Sequence, residues 1–162
     1  MSLEILLKNS NRLKKCQLHN DISPIKNKYK SLVKFKDNSN FNILIGSIDI
    51  DKCLEENEPS APRWDYLIII KPQIETALFV EIHPVNNSEI TKMIDKYLWL
   101  NDLINSELCE LKSNPKKYKH RFIWLAHDKT SHLNKNTSEF RKLTRYPQIT
   151  IFKELFLDEI PD

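Results

Sequence analysis

The sequence reads as an α/β domain, a mixed central sheet flanked by helices, and three observations carry that reading. Two runs rich in Ile, Leu, Val, Phe and Tyr, Trp64 to Ile70 and Ala77 to His83, are separated by a polar segment containing Pro72 and form a β-hairpin. A long stretch from Asn87 to Ser106 sets Ile90, Met93, Ile94, Tyr97, Leu98 and Ile104 on one stripe at helical spacing. The almost wholly apolar run Phe122 to Ala126 follows, and a strand reached through a long helix after a hairpin predicts a parallel crossover. With 162 residues, 40% of them hydrophobic, the chain suits one domain with one core. A basic helical segment over residues 1–40 leads into a mixed-sheet core over 41–152, and an acidic tail covers 153–162.

In chain order, Leu3 to Cys16 is expected to form a first helix, with Leu3, Leu6, Leu7 and Leu13 as its apolar stripe and Glu4 in its first turn. Ser23-Pro24 can open a short second helix running through Val33, and Asp37 to Asn40 is a turn. Phe41 to Ile50 alternates as the first core strand, with Gly46 marking a bulge or a close approach by another backbone. Glu55 to Arg63, with Pro59 and Pro62, is a loop into the hairpin. After the long helix, capped by Asn87 or Ser88, a lysine-rich connection from Leu108 to Lys119 feeds the Phe122 strand. Asn136-Thr137 caps a last helix from Ser138 to Arg145, and Gln148 to Phe152 is a short edge strand.

Composition removes several function classes. A single glycine, Gly46, excludes Gly-rich phosphate loops and the Gly-x-Ser-x-Gly elbow. Cys16, Cys53 and Cys109 are odd in number and far apart, so reduced thiols are expected rather than a disulfide framework. His120, His127 and His132 lack cysteine partners and a zinc-ligand spacing. No apolar run is long enough for a membrane, and the N-terminus lacks a signal-peptide pattern; a soluble cytoplasmic protein is the expectation. Eight lysines and Arg12 stand against Glu4 and Asp21 up to Lys36, whereas residues 37–60 carry six acids and Lys52 alone. Such asymmetry either draws phosphates towards an acidic, cation-holding centre or reflects solvated lysine-rich surface.

The hairpin holds the candidate site. Asp65 stands near the start of its first strand and Glu81 near the end of the second, positions a hairpin brings side by side. If the loop is odd, with Ile70 opposite Thr76, Asp65 falls opposite Glu81 with Cβ atoms ~5 Å apart, and His83 follows on the same face. An even loop sends Asp65 to the other face. Two close carboxylates at a buried strand end need a cation or a proton on one of them, and a hard divalent ion with oxygen ligands is the usual partner. Asp49 and Asp51 are either further ligands or caps of the following turn. Arg63 could bind a phosphate and Trp64 could stack on a base, or Trp64 could anchor the hairpin on the core. On the long helix Lys92, Lys96 and Trp99 lie off the apolar stripe, with Lys96 nearest its edge.

Asp65 followed by Glu81-Ile82-His83, within the order helix, strand, hairpin, helix, strand, helix, strand, resembles the PD-(D/E)XK nuclease superfamily. The resemblance covers most of the chain beyond residue 40 and implies a restriction-endonuclease-like αβββαβ core. It further implies Mg²⁺ or Mn²⁺ held by Asp65 and Glu81, and endo- or exonucleolytic hydrolysis of DNA or RNA, with two copies acting together where two strands are cut. His83 replaces the family's lysine as base or ligand, and Lys96 on the following helix is placed to restore the positive charge. The other reading is an inactive domain on the same scaffold that binds nucleic acid or a protein.

Overall fold

Five segments rich in apolar residues build one sheet. The computed structural model describes residues 1–128 and 132–160, the Asn38 side chain excepted. Strands β2 (Leu44–Asp49), β3 (Tyr66–Ile70), β4 (Glu75–Ile82), β5 (Tyr118–Leu125) and β6 (Ile149–Phe152) lie side by side in chain order. The first three are antiparallel, while β4, β5 and β6 run parallel, so the sheet is mixed as expected. A separate two-stranded parallel pair joins β1 (Val33–Lys34) to β7 (Leu155–Phe156).

Each face of the sheet has its own cover. Leu67, Ile69, Ala77, Phe79, Phe122 and Trp124 face a layer made by α1 (Leu3–Asn9), α2 (Ile50–Leu54), α3 (Ile90–Glu107), α4 (Glu110–Ser113) and α5 (Ser138–Leu143). The alternate residues Ile68, Ile70, Leu78, Val80, Ile82, Ile123 and Leu125 meet Ile25, Val33, Phe35, Leu155 and Leu157 instead. That second face is covered by the N-terminal arm, including a 3-10 turn over Asn27–Leu32, and by the tail. All α-helices of the described residues therefore pack on one side. Pro161 and Asp162 of the tail lie outside the described residues.

Several elements depart from their sequence expectation. The first helix ends at Asn9, well short of Cys16: the Ser10 N–H closes on the carbonyls of Leu6 and Leu7, and the Ser10 hydroxyl donates to Glu107 on α3. The run Asn9-Ser10-Asn11 is poor in helix formers and rich in side chains that compete for backbone groups. The second segment is a 3-10 turn rather than an α-helix, and β2 begins at Leu44, leaving Phe41 exposed. Leu98 on α3 also points outward; Leu100 and Leu103 take its place in the core. Neither Asn87 nor Ser88 caps α3, because the Asn87 side chain is bonded to Asn134 and Thr137.

Gly46 shows both features expected of it. The ladder between β2 and β3 shifts register between Leu44 and Gly46, and the backbone at His19 bridges to Ser47 so closely that a Cβ on Gly46 would collide with the His19 carbonyl. That bridge lays residues 16–19 along the outer edge of β2. Because α2 starts directly after β2, Cys53 then comes over Cys16, and the two form a disulfide with a Cα–Cα distance of 5.5 Å. The expectation of three reduced thiols is thus corrected. Cys109 alone is free. No helix among the described residues is long and apolar enough to cross a membrane.

The disulfide closes a loop spanning a sequence separation of 37. Restricting that loop in the unfolded chain is worth about 2–4 kcal/mol. The double variant Cys16→Ser/Cys53→Ser is expected to lose that amount in urea unfolding, and the same loss should follow reduction of the wild type; Cys109→Ser should leave stability unchanged within about 0.5 kcal/mol.

Candidate functional site

Register decides the site. Ile70 pairs with Thr76 and Tyr66 with Val80, so the hairpin takes the odd-loop alignment and Asp65, one residue before β3, stands opposite Glu81. Both side chains point to the helical face. Each carboxylate is held by its neighbour's backbone: the Asp65 N–H donates to Glu81 Oε2 at 3.1 Å, and the Ile82 N–H donates to Asp65 Oδ2 at 3.0 Å. This leaves Asp65 Oδ1 and Glu81 Oε1 free to face a common point.

A cation occupies that point. Lys96, reaching down from α3, places its Nζ 2.5 Å from Glu81 Oε1 and 3.8 Å from Asp65 Oδ1. Glu81 is the one buried acidic or basic side chain among the described residues, with 1% of its surface exposed. An unpaired, ionised carboxylate in such a position costs several kcal/mol, so Glu81 either keeps a proton or shares its charge with Lys96. Burial, reinforced by the adjacent Asp65, nevertheless outweighs Lys96 and pushes the Glu81 carboxyl up to about 8. Burial likewise raises Asp65, against the opposing pull of Lys96 and the Ile82 N–H. Burial works against the charge on Lys96, but Glu81 and Asp65 together prevail and raise its pKa.

Next along the same face, His83 does not join the carboxylate pair. Its Nδ1 lies 3.2 Å from Glu89 Oε2, near enough for ion pairing although not aligned as a hydrogen bond. Glu89 also receives Lys92 at 3.3 Å. Glu89, Lys92, Met93 and Lys96 recur at helical spacing and, with Glu81 and His83, line a small cleft under the start of α3. Glu89 was not among the sequence candidates. Its spacing of three and seven residues from the two lysines is the signal that points to it.

Other candidates are engaged elsewhere. Trp64 is fully buried in the helical-face core against Phe122, so it has no face left for a base and acts as the hairpin's anchor. Arg63 is turned to Asp51 at 3.0 Å and to the Glu58 carbonyl, which takes it away from any phosphate at Asp65. Asp49 caps α2 by accepting the Lys52 N–H at 2.8 Å, and burial raises its pKa. Trp99 donates to Glu58 Oε2, while Arg12 grips Glu58 through two bonds of 2.6 Å and sits 4.9 Å over the Trp99 ring. That knot ties the N-terminal arm to α3. Glu4 pairs with Lys8 on the exposed side of α1, remote in role from the carboxylates.

A hard divalent ion at this point would find two protein donors. Asp65 Oδ1 and Glu81 Oε1 offer two fixed carboxylate oxygens, the number Mg²⁺ commonly takes from a protein before water and phosphate complete its shell. The Lys96 ammonium stands where such an ion would sit, so metal entry would require Lys96 to draw aside. Among the described residues, no group of three or more His, Cys, Asp and Glu side chains is placed to hold a metal ion.

The pKa of Glu81 sets a pH dependence. Below about 4.5 it is protonated both folded and unfolded; between about 4.5 and about 8 the folded state keeps a proton that the unfolded chain loses, so stability falls as pH rises through this window. Glu81→Gln is expected to flatten that part of the profile. Lys96→Met should cost about 3–5 kcal/mol above pH 8, where Glu81 is ionised, and much less near pH 5; thermal unfolding across pH reads both. No protein-family model, curated protein or solved structure matches this chain.

Proposed function

We propose that the chain is a metal-dependent phosphodiesterase acting on nucleic acid, on a restriction-endonuclease-like αβββαβ core. The observation that carries the reading is the convergence of Asp65 Oδ1 and Glu81 Oε1 on Lys96 Nζ at the end of an antiparallel hairpin. The order of elements, helix, three antiparallel strands, long helix and parallel strand, supports it. Mg²⁺ or Mn²⁺ bound to the two carboxylates would supply Lewis-acid polarisation of the phosphoryl group and a lowered pKa for bound water.

The chain's own residues divide the remaining work. The reciprocal backbone bonds of Asp65 and Glu81 fix two carboxylate oxygens before substrate arrives, so no reorganisation is needed to orient them. Lys96, displaced from Glu81, stays within reach of a phosphoryl oxygen and neutralises charge that builds there. It supplies, from α3, the permanent positive charge that His83 lacks. His83, with its Nδ1 3.2 Å from Glu89 and lining the same cleft as Glu81, is the candidate general base. Lys92, with a side chain 70% exposed at the cleft's rim, meets the phosphate backbone.

A second reading rests on the same contact. The 2.5 Å pairing of Lys96 with Glu81 already neutralises the site, as it would in a non-catalytic domain that keeps the scaffold for binding nucleic acid or a protein. Cleavage separates the two. With Mn²⁺ or Mg²⁺, wild-type protein is expected to cut labelled single- or double-stranded DNA or RNA. Asp65→Asn, Glu81→Gln and Lys96→Met should each lower the rate on the order of a hundredfold or more, and His83→Ala should have a smaller effect. Inert wild-type protein on all four substrates, or cleavage that survives Asp65→Asn, contradicts the catalytic reading.

A further inference from the structure

The Cys16–Cys53 disulfide is not sealed in the core, and both of its residues are half-buried. Residues 15–24 of the N-terminal arm and residues 49–57, from the end of β2 through α2, wall an open cleft of about 630 Å³ with Cys53 on its surface. The ionisable groups of its wall are Lys15, His19, Asp49, Lys52 and Glu56, so the cleft offers both signs of charge. Cys16 lines a different and smaller cleft, about 220 Å³, among the apolar side chains of Leu7, Leu13, Leu18 and Ile48. The two cysteines therefore open on different surfaces, and the roomy polar one belongs to Cys53.

A lysine directly precedes each cysteine, Lys15 before Cys16 and Lys52 before Cys53, and both lysines line the larger cleft. Neither ammonium has an ion-pair or hydrogen-bond partner among the described residues. Asp49 is occupied by the Lys52 N–H that it caps at 2.8 Å, whereas Glu56 is exposed. Contacts on both sides of Cys16 hold the arm independently of the sulfur–sulfur bond. Arg12 grips Glu58, just beyond α2, through two bonds of 2.6 Å, and His19 and Ser47 exchange backbone bonds of 3.0 and 2.8 Å. With Cys53 fixed in α2, these anchors keep the two thiols near each other once the bond opens, at a high effective concentration for closing it again.

We infer that Cys16–Cys53 is a reversible thiol-exchange site that takes a small anionic peptide thiol, of the glutathione class, through the cleft at Cys53. Exchange proceeds by attack of a thiolate on a disulfide sulfur. The incoming thiolate bonds to Cys53 Sγ as the Cys16–Cys53 bond breaks, and the electron pair leaves on Cys16 Sγ. A second thiolate attacks the incoming sulfur, releases Cys53 as a thiolate and departs as the external disulfide. Two small thiols are oxidised, one protein disulfide is reduced, and the protein thiolates take up the two protons that the small thiols gave to solvent. Lys15 and Lys52 draw the carboxylates and the thiolate towards Cys53, while exposed Glu56 suits the peptide's ammonium group. The inference stands without metal or catalysis at Asp65 and Glu81.

Full-length Cys109→Ser protein, which keeps only this pair, tests it by mass spectrometry after reaction with reduced glutathione and acid quenching. The mixed disulfide is expected on Cys53, and glutathione buffers of varied redox ratio should open and close the pair reversibly while circular dichroism stays native. With one thiol left in each, Cys16→Ser/Cys109→Ser should take up glutathione from its disulfide on the order of tenfold faster than Cys53→Ser/Cys109→Ser. Lys15→Glu/Lys52→Glu should lower the ratio of the glutathione rate to the rate with cysteamine, whose ammonium offsets its thiolate, on the order of threefold or more. The inference is overturned if the adduct forms on Cys16, if the pair opens only where urea unfolds the chain, or if the two thiols fail to close with glutathione disulfide. An unchanged rate ratio in Lys15→Glu/Lys52→Glu overturns it as well.

Discussion

A carboxylate sealed from water with Asp65 beside it, as Glu81 is, has to be given a positive neighbour or a proton, and much of the architecture answers that demand. The odd hairpin loop brings Asp65 opposite Glu81, and the crossover helix α3 packs over the hairpin with Lys96 directly above the pair. Changing the loop by one residue would turn Asp65 to the other face. Rotating α3 by one position would remove the lysine, because Met93 and Tyr97 fill the adjacent core-facing positions. The site and the core therefore share one register, and neither can slip without the other.

Around this centre the chain ends do structural work. The N-terminal arm and the tail cover the sheet face that lacks helices, joined by the β1–β7 pair and by the Lys34 and Lys36 ion pairs. The Cys16–Cys53 disulfide and the Arg12–Glu58–Trp99 knot fasten the same arm to the helical side. Surface ion pairs of this kind add little each, so the apolar residues beneath them hold the arm in place.

Sequence periodicity disclosed a good part of this. The two apolar runs with a polar segment between them marked the hairpin, and the isolated acids within it marked the candidate pair, but loop parity had to come from the structure because Pro72 is compatible with either alignment. The helical stripe of α3 placed Lys96 at the buried edge, which is where it lies, yet the same stripe wrongly included Leu98 and omitted Leu100 and Leu103. A wheel has no knowledge of which neighbour covers its flank. Trp64 and Arg63 looked available because their positions adjoin Asp65; packing against Phe122 and pairing with Asp51 are tertiary facts. The disulfide was illegible for the same reason, since Cys16 meets Cys53 only after His19 bridges to Ser47 on β2.

The account turns on whether the point shared by Asp65 Oδ1, Glu81 Oε1 and Lys96 Nζ accepts a divalent cation. Anomalous diffraction from crystals soaked in Mn²⁺ addresses it directly. A peak within ~2.2 Å of both carboxylate oxygens, with Lys96 swung away from Glu81, is the predicted result. A map without a peak there, in which Lys96 still bridges the two acids at saturating Mn²⁺, would contradict the metal site and leave the triad as a neutralised element of the core.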